Sequence, residues 1–173
     1  MVDVNGYFKS FLDTLPLLLI VVWLYWTRMV GAPWVPSSLE IANRMLTLAN
    51  VGPDDVVYDL GCGDGRLVLV AAIKYHARAV GVEIDPLRYL WCQLMVILTG
   101  QRKRVRIVLG NIFNKDLSDA TVVMCYLLPE ALKKLEDKFR QELPPGARII
   151  SNKYPFPTLT KVSEDGNAIL YKV

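Results

Sequence analysis

The chain has 173 residues, a mean hydropathy of +0.28 and a formal net charge of +3. That length fits one domain of ordinary size plus a short appendage, and so small a charge does not by itself imply a nucleic-acid partner. The three cysteines, at 62, 92 and 125, lack metal-ligand spacing and predict buried free thiols in a reducing compartment. His76, the single histidine, falls in a polar stretch and reads as a surface residue.

The first element in chain order is apolar. A charge-free run of fourteen residues from Thr14 to Thr27 contains Leu15 to Trp26. As a helix it spans about 21 Å, short of the ~30 Å hydrocarbon core of a bilayer. Phe11, Leu12 and Met29 to Ala32 lengthen it, which places Asp13 and Arg28 near the two interfaces. Trp23, Tyr25 and Trp26 cluster as an aromatic belt would. A membrane-spanning anchor is favoured over an in-plane helix, because the segment is apolar on all faces. A cleaved signal peptide fits less well with a nearly uncharged beginning. Residues 1–32 are therefore assigned to a hydrophobic, transmembrane helix with its flanks, bound to a lipid bilayer, and residues 33–173 to a separate domain.

Gly31 to Pro36 forms a stiff linker, since two prolines cannot continue a helix. Ser37 or Ser38 caps a helix with apolar spacing at Leu39, Ala42, Met45, Leu46 and Leu48. Val56 to Asp59 reads as a strand, Leu67 to Ile73 as a helix, and Ala79 to Val82 as a second strand ending in Glu83. Asp85-Pro86 caps a helix over Leu87 to about Leu98. Strands follow at 105–109, 121–125 and 147–151, with a helix from about 130 to 141 between the last two. Leu159–Ser163 and Ala168–Val173 flank Glu164-Asp-Gly-Asn167, a hairpin signal. The pattern predicts an α/β doubly wound, Rossmann-like, mostly parallel sheet with an antiparallel C-terminal hairpin.

The most informative stretch is Val56-Val-Tyr-Asp-Leu-Gly-Cys-Gly-Asp-Gly-Arg66. A strand, a glycine turn, a helix and a second strand tipped by an acid make a nucleotide-binding βαβ unit. The glycines at 61, 63 and 65 permit close backbone approach and positive φ, and the acid can accept both hydroxyls of a ribose. The spacing G-x-G-x-G departs from the pyrophosphate-binding G-x-G-x-x-G, and no Lys-Ser/Thr pair of a P-loop follows.

These residues resemble the first motif of the seven-strand S-adenosylmethionine-dependent methyltransferases, with Glu83 matching the acid of their second strand. Two further motifs resemble a small group of protein-lysine methyltransferases that includes compact archaeal enzymes and membrane-anchored mitochondrial relatives. Trp34-Val-Pro-Ser37 precedes the first helix, and Ser151-Asn-Lys-Tyr-Pro-Phe156 follows the fifth strand. The resemblance covers about residues 33–173. It implies that S-adenosyl-L-methionine is held by Pro36, Ser37, Asp59, Gly61, Gly63, Asp64, Gly65, Glu83, Asn111 and Ile112. Asn111 stands where this class commonly has aspartate. It further implies a protein substrate with an accessible lysine, among them membrane proteins; the small charge and little basic surface give no expectation of a nucleic-acid partner.

Candidate acceptor-pocket residues are Trp34, Tyr126 and Tyr154, with Phe156 as a weaker aromatic candidate; no general base and no metal site are identified. An Asn/Asp-Pro-Pro-aromatic segment of the adenine or glutamine amino-methylators is absent after strand four, and Cys125 reads as the end of a buried strand. The need for the donor places the catalytic domain on the cytosolic side of a single-pass protein, or in a matrix-like compartment. Methylation of a small or lipidic molecule, non-catalytic cofactor binding and, more weakly, RNA methylation are the rival readings. Arg102-Lys-Arg104 and Arg106 read as a solvated helix end.

Overall fold

A computed structural model describes residues 9–18, 20–22 and 37–173. The chain divides into two compact units, Met1–Pro33 and Trp34–Val173. In the first unit, residues 9–18 and 20–22 are helical. Among the described residues no helix is long and apolar enough to cross a membrane. At 1.5 Å per residue these few turns fall well short of ~30 Å, and Lys9 and Asp13 lie within them. This overturns the expectation of a single-pass, membrane-associated protein with its catalytic domain facing the cytosol. Trp23, Tyr25, Trp26 and Arg28, which the anchor reading used, lie outside the described residues.

The second unit opens with α1 (Leu39–Leu48), capped by Ser38, whose Oγ accepts from the Ile41 N–H at 3.2 Å. The βαβ unit follows as β1 (Val56–Leu60), α2 (Arg66–Lys74) and β2 (Arg78–Glu83). Next come α3 (Pro86–Leu98), β3 (Val105–Leu109), a short 3-10 turn (Ile112–Asn114) and β4 (Val122–Cys125). The chain ends with α4 (Pro129–Glu142), β5 (Arg148–Asn152), β6 (Lys161–Asp165) and β7 (Ala168–Lys172).

The seven strands form one sheet in the order β3-β2-β1-β4-β5-β7-β6. The first five are parallel; β7 runs antiparallel to both β5 and β6. The reversal of strand order at β1 and β4 makes the topological switch point, where open α/β sheets bind ligands beyond the strand carboxyl ends.

Alternation along the strands builds a core on each face. Val57, Val122, Met124 and Ile150 pack with α1, α2 and α3. Val56, Tyr58, Leu60, Val123, Cys125 and Ile149 pack with Leu132, Leu135 and Phe139 of α4. The two central strands are buried along their whole length, as strands covered on both faces must be. At the amino ends of the strands, Arg148 pairs with Asp55 and donates to the Ala49 carbonyl at 2.6 Å, while Thr121 Oγ1 donates to Asp55 at 2.7 Å.

The hairpin turn is tighter than its composition suggests. Glu164 and Asp165 stay extended and pair with Ile169 and Ala168, so only Gly166 and Asn167 turn, with Gly166 at φ +58°. Helix α4 starts at Pro129, where a residue without an N–H costs nothing.

Candidate active site

The carboxyl ends of β1 and β2 set the glycine loop. Gly61 and Cys62 donate to the Val82 carbonyl at 2.9 and 3.0 Å, which fixes the loop against the end of β2. Gly61, Gly63 and Gly65 all have φ between +59° and +86°. The constraint is plainest at Gly65, the residue preceding α2. A Cβ there would lie 3.0 Å from Cys92 Sγ on α3. Gly81 on β2 is equally constrained, since a Cβ would meet Cys62 Sγ at 2.7 Å. Cys92 Sγ donates to the Gly63 carbonyl at 3.2 Å, so both buried thiols act as packing beneath the loop.

Glu83 is buried, and its carboxylate organises three backbone donors. Oε2 accepts from Gly63 N–H at 2.8 Å; Oε1 accepts from Ile84 and Asp85 at 3.1 and 3.0 Å. Asp85 in turn caps α3 through Leu87 and Arg88 N–H at 2.8 and 3.2 Å. The acid at the tip of β2 therefore shapes the loop as well as facing its rim.

Asp59, near the end of β1, is buried, and among the described residues no cation offsets its charge. Burial first, then the Glu83 and Asp64 carboxylates, push its carboxyl up from 3.8 to about 7. Asp64 is held by Arg66, whose Nε donates to both carboxylate oxygens at 3.0 and 2.8 Å. Arg66 Nη1 also donates to the Ser37 carbonyl, joining the segment before α1 to the glycine loop. Arg66 closes the glycine-loop motif, and its spacing two residues after Asp64 is the signal in the sequence for this pair.

Across the switch point, the residues after β4 and β5 close the other side. Leu60 pairs with Cys125, and Cys125 with Ser151, so Tyr126 follows directly on the rim. Leu127 Cδ2 lies 3.5 Å from where a Gly61 Cβ would be. Tyr126 and Tyr154 are half-buried. Tyr154 sits in a loop tied down by buried Glu136 of α4, which accepts from Thr158 N–H and Oγ1 at 2.9 and 2.8 Å. Lys153 Nζ lies 5.2 Å from the centroid of the Tyr154 ring. Glu136 carried no sequence signal, because a glutamate on an otherwise polar helix looks like any solvated residue.

The predicted residues divide clearly. Ser37, Asp59, Gly61, Gly63, Asp64, Gly65 and Glu83 are drawn into one bonded or adjacent cluster. Asn111 stands next along the rim, after Gly110 N–H donates to the Glu83 carbonyl at 2.9 Å. Its side chain accepts from Phe113 N–H at 3.0 Å, capping the short turn that carries Ile112. Trp34 and Pro36 lie outside the described residues. Phe156 belongs to the core instead of a pocket: it is buried, edge-on to Phe139 and Tyr171 at 5.7 and 5.2 Å. Cys125 is fully buried, and burial raises its thiol far above the range of a nucleophile. His76 is exposed, as read. Arg102 to Arg104 and Arg106, joined by Arg78, line a shallow groove at the amino ends of β1–β3, away from this rim.

Comparison with known proteins decides the family. A model of the ANTKMT methyltransferase domain matches residues 59–163. The chain belongs to that family. It is 41% identical over 140 residues to a protein-lysine N-methyltransferase of Saccharolobus islandicus, covering 78% of this chain and 87% of the relative. It is 34% identical to the mouse adenine nucleotide translocase lysine N-methyltransferase, over 78% of this chain, but spans only 58% of that protein. A solved structure described as an RNA methyltransferase from Salinibacter ruber, in complex with S-adenosyl-L-homocysteine, superposes with a TM-score of 0.73 at 37% identity, over 79% of this chain and 91% of that one.

This methyltransferase uses S-adenosylmethionine. The chain's own residues fit that donor. A cationic sulfonium and ammonium suit a rim carrying Asp59, Asp64 and Glu83, and the glycine loop leaves no Cβ where the donor must approach. The sequence reading of a seven-strand methyltransferase sheet holds throughout β1–β7.

Proposed function

We propose that this enzyme methylates the side-chain amine of lysine in a protein. The observation that carries the reading is the 41% identity to the archaeal protein-lysine methyltransferase across most of both chains. Bound donor supplies the electrophilic methyl group; the protein's part is to hold it, exclude water and present a neutral amine in line.

Ser37, Asp59, Gly61, Gly63, Asp64, Gly65 and Glu83 hold the donor, with Pro36 before them and Asn111 and Ile112 beside its adenine. Glu83 offers carboxylate oxygens to hydroxyl groups while its bonds to Gly63, Ile84 and Asp85 keep it fixed. Tyr126, Tyr154 and Trp34 form the acceptor side. A lysine has a pKa near 10.4, so presenting it neutral near pH 7 costs about 4–5 kcal/mol unless the pocket lowers that value. Half-buried aromatic walls desolvate the ammonium and favour loss of its proton. Each ring face also attracts partly methylated ammonium by about 0.5–2 kcal/mol. The Lys153 ammonium over Tyr154 supports that use of the ring.

The test is transfer of labelled methyl from the donor to protein, RNA and organic-phase fractions of one extract. Label confined to protein and mapped to lysine Nζ is expected. Label in RNA, the acceptor named for the Salinibacter ruber protein, or in the organic phase would overturn the reading.

A further inference from the structure

The carboxyl ends of β1, β4 and β5 bring three polar side chains to one face of the sheet. On β5, Ile149 packs toward α4 and Ile150 toward α1–α3. Alternation then turns Ser151 to the α4 side and Asn152 to the α1–α3 side, where its ladder partner Ala168 also packs. Asp59 follows Val57 onto that face, and Tyr126 follows Met124. Cys125 pairs with Ser151, so Tyr126 and Asn152 stand side by side one residue further on. Asp59 is level with Ile150 through Met124. Asn152 therefore lies two strands across and two residues beyond Asp59, roughly 12 Å away. Asn152 is 3% exposed, yet among the described residues its amide has no hydrogen-bond partner. Ser151, its neighbour on the other face, donates to the Tyr154 carbonyl. Among the described residues, every side-chain nitrogen or oxygen wholly shut from solvent is bonded, so the Asn152 amide opens onto the space beyond the strand ends. An amide that deep without a partner costs stability, and native folds keep one where function uses it.

Resting on the lysine reading above, we propose that Asn152 binds the acceptor: its side-chain oxygen accepts a hydrogen bond from the lysine amine and turns the nitrogen for attack. A neutral primary amine carries N–H groups and a single lone pair. In-line transfer needs that lone pair aimed at the methyl carbon, so an N–H must point at an acceptor beside it. The amine nitrogen then bonds to the carbon, the carbon–sulfur bond breaks with its electron pair kept by sulfur, and a methylated ammonium and a neutral thioether result. An amide oxygen suits this task better than a carboxylate. It takes the hydrogen bond without a negative charge that would hold the incoming ammonium protonated.

The test is the initial rate of labelled methyl transfer to lysine in a heat-treated protein extract, for the full-length chain and for Asn152→Ala and Asn152→Asp. Asn152→Ala should lower kcat about 10- to 100-fold and leave donor Kd by calorimetry unchanged. It should melt at or above the wild-type temperature, because the amide it loses has no partner among the described residues. Asn152→Asp should move the rise of kcat with pH upward by about one unit, since a carboxylate favours the charged amine. Asp59 and Tyr126, the ionisable neighbours on this face, are common to both proteins, so the displacement reports position 152. Three results would overturn this proposal alone, given wild type that labels lysine: an Asn152→Ala variant that keeps its kcat, one that loses donor affinity by the same factor as kcat, or an unmoved pH profile in Asn152→Asp. Wild type that labels no lysine would overturn it together with the lysine reading.

Discussion

Replacing Asp59 by asparagine should stabilise the ligand-free protein in alkali while destroying its donor site. Burial beside Glu83 and Asp64 raises the Asp59 carboxyl from 3.8 to about 7. The folded state thus holds this proton more tightly than the unfolded chain does. Stability linked to it is present below about pH 4 and is lost progressively as pH rises toward 7. A rise of about three pH units at 1.36 kcal/mol apiece makes the full cost about 4 kcal/mol above pH 7. Roughly 2–3 kcal/mol of that loss falls between pH 5 and pH 8. The asparagine side chain does not titrate, so urea unfolding of both proteins at a series of pH values isolates the contribution of Asp59. The stability of the variant relative to wild type should climb by that amount from pH 5 to pH 8. A difference that stays flat across the range would refute the argument that Asp59 is held against ionisation. With donor present the order should invert, because the proposed donor site draws on the Asp59 carboxylate that the variant lacks.

Other substitutions separate the parts of the site. Gly65→Ala forces a side chain onto φ +79° and against Cys92, and should cost about 1–3 kcal/mol in thermal or urea unfolding. Arg66→Ala breaks the link from Asp64 to Ser37; stability should change by less than about 1 kcal/mol, while donor Kd by calorimetry rises several-fold. Tyr154→Ala should lower kcat/KM for a lysine acceptor by roughly 2- to 30-fold and leave donor Kd unchanged. Glu136→Ala removes two of the bonds that tie the loop carrying Tyr154 to α4, leaving those from Arg140 to Thr158, and should show the same kinetic pattern more weakly, at the further cost of a buried hydrogen-bonded contact seen in unfolding.

Much of this architecture was legible in the residues because local and long-range signals agree. The β1–α2–β2 unit has strand, glycine turn and acid in an order that only one topology satisfies. Its strands and helix fall where the spacing put them, and Gly63 donates to Glu83 at 2.8 Å across the turn. Signals failed where a residue's chemistry is local but its role is tertiary. Phe156 lay in a motif beside Tyr154, yet the Tyr171 hydroxyl accepting from its N–H at 3.0 Å and two edge-on rings place it in the core. Glu136 looked solvated until the fold brought Thr158 onto it. Asn111 could be placed on the rim, but its side chain closes a local turn, a competition that composition does not reveal. The apolar stretch near the amino end reads as an anchor by hydropathy alone, and no described helix has the length that reading needs.

The central claim is that the accepted group is a lysine amine. The most direct measurement blocks every lysine of a methylatable protein extract by exhaustive acetylation, which leaves amide nitrogens that cannot accept methyl, before adding enzyme and labelled donor. The account predicts that incorporation disappears after blocking and persists in an untreated extract. Undiminished incorporation into the blocked protein would contradict it.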